Sequence, residues 1–101
     1  MGSTLTARVS DELNEALDKI SEKEKLEKSA VARRFLEKAV KDYRMDRALE
    51  EYSGGEATLR KAADTAGVSL WEFMERVKQE GIKLNYTERD LEEDLQAVKN
   101  E

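Results

Sequence analysis

The chain of 101 residues contains no cysteine, no histidine and no proline. Without cysteine it forms no disulfide and offers no thiolate. Without histidine it lacks the commonest zinc ligand and the usual general base. Aromatic residues are sparse, at 6%. No apolar run approaches the roughly 20 residues of a membrane-spanning helix, and the polar start "MGSTLT" is no signal peptide. These absences lead us to expect a soluble cytoplasmic protein with no membrane association, no metal and no cofactor. Carboxylates are plentiful, but no apolar pocket signal, phosphate loop or nucleophile motif accompanies them, so an enzyme is not expected.

What the chain does have is charge. Charged residues make up 41% and hydrophobic residues 39%, a profile that suits a helix-rich, well-solvated protein with a thin core. Its length fits one domain or two very small ones. A monomer of this size buries little apolar surface, which favours association. The formal net charge is −5, and it is unevenly spread: residues 1–47 carry +1 and residues 48–101 carry −6. Any surface that seeks phosphate therefore belongs to the first half.

The stretch "TLTARVS", Thr4 to Ser10, alternates polar and apolar residues, the period of a β-strand. Ser10 can cap a helix carrying Leu13, Ala16, Leu17 and Ile20 at i, i+3, i+4, i+7. After the charged connection "SEKEKLEK", Ser29 is expected to cap a second helix. Ala30, Val31, Phe35, Leu36, Ala39, Val40 and Tyr43 give that helix a broad apolar face. It is expected to run through Ala48, Leu49 and Tyr52 and to stop at Ser53–Gly54–Gly55. Beyond it, Thr58 caps a short helix, Gly67 makes a turn, and Ser69 with Glu72 forms a capping box. Leu70, Phe73, Met74 and Val77 face the core of the next helix, with Trp71 at the core's edge, and Gly81 closes it. Thr87 opens a last acidic helix whose apolar residues are Leu91, Leu95 and Val98.

The order strand, helix, helix in "TLTARVSDELNEALDKI" and "LEKSAVARRFLEKAV" resembles the ribbon-helix-helix family of DNA-binding regulators. The resemblance implies a fold that is mostly α with one N-terminal β-strand. That strand would pair antiparallel with its copy in a second chain, and the two-stranded ribbon would lie in the DNA major groove. It implies base contacts from Thr4, Thr6 and Arg8, and phosphate contacts from Lys28, Ser29, Ala30, Arg33 and Arg34. Leu5, Ala7, Val9, Leu13, Leu17, Val31, Phe35 and Leu36 would form the dimer core, and the target would be a palindromic operator in double-stranded DNA. Residues 1–47 would be the DNA-binding and dimerisation domain of a homodimer, or of a tetramer built from two.

The second half holds "KAADTAGVSLWEF", with the spacing of a helix-turn-helix. The segment from Ala48 to Tyr86 resembles a small prokaryotic family of helix-turn-helix antitoxin-like proteins, often paired with PIN-domain ribonuclease toxins. We expect residues 48–86 to be a trihelical packing unit, because its second helix exposes more acids than bases. Residues 87–101 carry six acids and two bases. With Leu84, Tyr86, Leu91, Leu95 and Val98 they form an amphipathic segment able to lie in a partner's groove. The reading is a DNA-binding antitoxin that represses its own operon and binds a PIN-domain toxin through its C-terminal half. The alternative is a stand-alone ribbon-helix-helix regulator whose acidic half serves oligomerisation or an effector.

Overall fold

In the computed structural model, which describes residues 2–85 and 87–99, the chain is helical throughout its regular structure. The elements are α1 (Asp11–Glu24), α2 (Lys28–Ser53), α3 (Leu59–Ala66), α4 (Leu70–Gln79) and α5 (Glu88–Lys99). The chain divides into two compact units, one ending at Lys38 and the other beginning at Ala39. No helix among the described residues is long and apolar enough to cross a membrane.

The expected N-terminal strand is absent. Residues 2–10 adopt no regular secondary structure, and the two-stranded ribbon of a ribbon-helix-helix fold is overturned with it. The physical reason lies in the backbone. Alternation says which side chains would share a face, but a strand also needs a neighbour for its N–H and C=O groups, and there is no second strand among the described residues. Leu5 is 76% exposed, and Ala7 and Val9 are exposed as well, so none of the three faces a helix.

In the first unit, Ser10 caps α1 as its sequence position suggests, its hydroxyl accepting from the Leu13 N–H at 3.1 Å. The helix ends at Lys25, a non-glycine residue in the left-handed region (φ 56°), whose N–H bonds to the Ser21 carbonyl. The Ser21 hydroxyl donates to the Leu26 carbonyl and fastens the same turn. α2 then begins at Lys28, so Ser29 lies inside the first turn and is not its cap. Val31 is the only buried side chain among residues 2–38. Leu13, Phe35 and Leu36 stay exposed, while Leu17 and Ile20 are half-buried.

The second unit holds the core. The C-terminal part of α2 contributes Ala48, Leu49 and Tyr52; α3 contributes Leu59, Ala62, Ala63 and Ala66; α4 contributes Phe73 and Val77. Three alanines on one face of α3 let it approach its neighbours closely. The Tyr52 and Phe73 rings meet edge to face at 5.9 Å. α2 stops at Ser53, and Glu56 and Ala57 donate back to the Glu51 carbonyl. Between α3 and α4, Gly67 takes φ +74°, where an added Cβ would lie 3.0 Å from the Arg44 guanidinium. Arg44 is held there by its bond to the Thr65 carbonyl at 3.0 Å. Ser69 starts α4 by accepting from Glu72 N–H. Two expectations for side chains fail. Trp71 stands 68% exposed instead of edging the core, and on α2 Phe35, Leu36, Val40 and Tyr43 are exposed.

Phe73 is fully buried and Phe35 is half-exposed, which makes them a matched pair for mutation. Phe73→Ala is expected to cost about 3–5 kcal/mol through transfer and cavity terms. Urea unfolding followed by circular dichroism measures the loss.

Candidate functional site

The first unit presents the residues expected to meet DNA. Thr4, Thr6 and Arg8 are exposed on the segment without regular secondary structure before α1. Lys28, Ser29 and Ala30 occupy the first turn of α2, where backbone N–H groups have no intrahelical acceptor. Arg33 and Arg34 follow one turn later; Ala30 is half-buried and the others are exposed. Lys28 is paired across to Asp18 at 3.1 Å. Of the expected dimer core, only Val31 is buried within the chain.

The second unit contains the better-built constellation, and it centres on Asp90. This carboxylate is 3% exposed. Its Oδ2 accepts the backbone N–H and the hydroxyl of Thr87, both at 2.8 Å, and Thr87 Oγ1 in turn accepts the Asp90 N–H at 3.2 Å. The two residues thus form a reciprocal capping box that starts α5. Asp90 Oδ1 reaches across to α3 and accepts the N–H of Leu59 at 2.8 Å, the first residue of that helix. One carboxylate therefore starts two helices, placed where both helix dipoles favour negative charge.

The next acids extend the contact. The Thr58 hydroxyl donates to the Glu93 carboxylate, while Thr58 Oγ1 accepts the Lys61 N–H and caps α3. Arg60 places Nε and a terminal nitrogen on Asp94 Oδ1, at 3.0 and 2.8 Å. Asp90, Glu93 and Asp94 fall at i, i+3, i+4, so α5 meets α3 with its acidic face. Leu91, Leu95 and Val98, at i, i+4, i+7, face solvent. α5 is an amphipathic helix mounted with its apolar side out.

Of the other residues expected to bind a toxin, Leu84 packs against the core, and Tyr86 lies outside the described residues. Ahead of α5 the strap is clamped by Tyr52, whose hydroxyl donates to the Asn85 carbonyl at 3.1 Å and accepts the Asn85 N–H at 2.9 Å. Asp90, Glu93, Asp94, Thr58 and Arg60 were not singled out as a contact by sequence reasoning. The signal was present in "TERD", the Ser/Thr-x-x-Asp/Glu form of a capping box, and in the i, i+3, i+4 spacing of the acids. Among the described residues no group of three or more side chains could hold a metal ion.

Burial pushes the Asp90 carboxyl up, but the Thr87 N–H, then the Leu59 N–H and the Thr87 hydroxyl, outweigh it and hold the group below its ordinary value. A carboxyl whose folded value is depressed adds stability that is fully present above the unfolded value, about 3.9, and is lost as pH falls through the folded one. Asp90→Asn is therefore expected to lower stability at neutral pH by about 1–3 kcal/mol, since two N–H donors lose a charged acceptor. The same variant should flatten the acid limb of the stability curve, measured by urea unfolding at a series of pH values below neutrality.

Comparisons with known proteins bear on the chain as a whole. Residues 1–100 match the family described as "Uncharacterised protein family (UPF0175)". A UPF0175 protein of Aeropyrum pernix is 44% identical over 59 residues, which is 58% of this chain and 66% of the relative, just under two thirds of its length. No solved structure matches. One family description spans both units and carries neither a ribbon-helix-helix nor a helix-turn-helix assignment. The chain belongs to the UPF0175 family.

Proposed function

We propose that this protein is a DNA-binding antitoxin: its first unit pairs with a second copy and meets its own operator, and α5 binds a PIN-domain ribonuclease toxin. The observation that carries the reading is the unpartnered apolar surface on both units. In the first, Leu5, Val9, Leu13, Phe35 and Leu36 are exposed, and Val31 is the one buried side chain among residues 2–38. In the second, Leu91, Leu95 and Val98 line the outward face of α5. Large apolar side chains left in water in such number suit association. Family membership is compatible with a small antitoxin-like role, and the resemblance of "AADTAGVSLWEF" to toxin-paired proteins supports it.

In this reading a second copy covers Leu5, Ala7, Val9, Leu13, Leu17, Val31, Phe35 and Leu36. Thr4, Thr6 and Arg8 on each N-terminal arm meet base edges, where arginine forks onto guanine O6 and N7 and threonine donates, accepts or meets a thymine methyl. The first turn of α2, with Lys28, Ser29, Ala30, Arg33 and Arg34, meets phosphates, and Lys28 exchanges Asp18 for a phosphate oxygen. Two copies of each contact require a palindromic target. On α5 the leucine stripe seats in a groove of the toxin. Glu88 and Glu92, both exposed, flank that stripe and suit the basic surface of an RNA-cutting enzyme.

Sedimentation is expected to give a dimer or tetramer, and Phe35→Ala is expected to shift it toward monomer; a monomeric wild type would defeat the reading of the first unit. In gel shifts on the upstream DNA, Arg8→Ala should cost about 1–3 kcal/mol of sequence discrimination. Lys28→Ala should instead weaken binding to all sequences alike and lower the salt dependence. Leu91→Asp combined with Leu95→Asp should abolish co-purification of the toxin encoded beside it while leaving the DNA shift unchanged.

A further inference from the structure

α5 raises a question of stability that its contacts answer. It has 12 residues. Isolated helices shorter than about 12–15 residues are marginal in water. Its stripe of Leu91, Leu95 and Val98 contributes little to holding it in place, because each of the three is 48% exposed or more. On the side turned to α3, Ala97 is the one half-buried apolar residue of the helix. What secures α5 is polar: Asp90 on the Leu59 N–H, Glu93 on the Thr58 hydroxyl, and Asp94 on Arg60. Such bonds can be exchanged for water far more cheaply than buried apolar area can be exposed. The strap before α5 has separate anchors in Ile82, Leu84 and the Tyr52–Asn85 pair, so loss of α5 leaves the core closed.

We infer that α5 is a two-state presentation element: docked on α3 it is helical and displays the leucine stripe, and released it unfolds and the stripe ceases to exist as a surface. This deepens the proposed toxin-binding role and, as regulation of that same surface, rests on it. A partner that recognises the helical stripe binds only the docked fraction, so its apparent affinity falls in proportion to that fraction. The strength of the Asp94–Arg60 and Asp90–Leu59 contacts thereby sets partner affinity without either residue touching the partner. Salt weakens the display by screening Asp94 from Arg60 while leaving the core of the second unit intact.

Native-state hydrogen exchange on the full chain, without any partner, tests this. Amides of residues 92–99 are expected to exchange through an opening that leaves Phe73 and Val77 protected. Asp94→Asn should speed exchange in 92–99 by about threefold to fivefold, the scale of a partly exposed ion pair. The swapped pair Arg60→Asp with Asp94→Arg should bring the rate back to within about twofold of wild type. Raising the salt concentration should mimic Asp94→Asn in the wild type and have little effect in that variant. If residues 92–99 exchange together with Phe73 and Val77, or if Asp94→Asn leaves their rate unchanged, the inference is overturned. Toxin co-purification is read separately, so loss of the partner assignment and loss of the two-state helix are distinguishable.

Discussion

A single buried carboxylate fixes how α5 meets α3 in the second unit. Asp90 satisfies the first N–H of α3 and the N–H and hydroxyl that open α5, so its charge is compensated on both oxygens. A buried charge is tolerated only when it is so provided for. The consequence is geometric: with one end of the carboxylate committed to each helix, the first turn of α5 must lie against the first turn of α3. Glu93 and Asp94 then fall beside Thr58 and Arg60 by helical periodicity alone. The outward direction of Leu91, Leu95 and Val98 follows from the same periodicity.

The first unit shows the opposite condition. It has well-formed local structure and almost no interior. Ser10 and the Ser21–Leu26 bond define where α1 begins and ends, and the left-handed Lys25 turns the chain toward α2. These devices fix helix ends but bury little. Hydrophobic burial is the main favourable term in folding, and here it is nearly all unused.

The sequence was most informative where structure is set by a single residue. Ser10, Thr58 and Ser69 cap the helices they were expected to cap, Gly67 turns between α3 and α4, and α2 ends at the glycine pair. Each of those devices acts on its own neighbours within four residues. Features that depend on a distant partner were not legible in the same way. The period of "TLTARVS" could not reveal whether a second backbone completes it, and among the described residues none does. Lys25 carries no glycine signature although its backbone is left-handed. The stripe on α5 was visible, but which way its acids would point was not. Three of them face α3, because the carboxylate of the capping box that aims them also accepts the Leu59 N–H of that helix.

The two exposed apolar surfaces consequently make different demands. In the proposed reading the first unit depends on its surface being covered, since within the chain it has one buried side chain, Val31, beside half-buried Leu17 and Ile20 and the Lys28–Asp18 pair. An association serving that surface is bound up with folding, and its stability depends on protomer concentration. α5 needs no cover, because polar contacts secure it while its leucines stay in water at a modest cost. A partner there gains the transfer energy of the part of the stripe that is still exposed. A helix docked by its apolar side would have hidden the same residues and made binding compete with folding. Mounting α5 by its acids separates the two, so the second surface is suited to a partner that comes and goes.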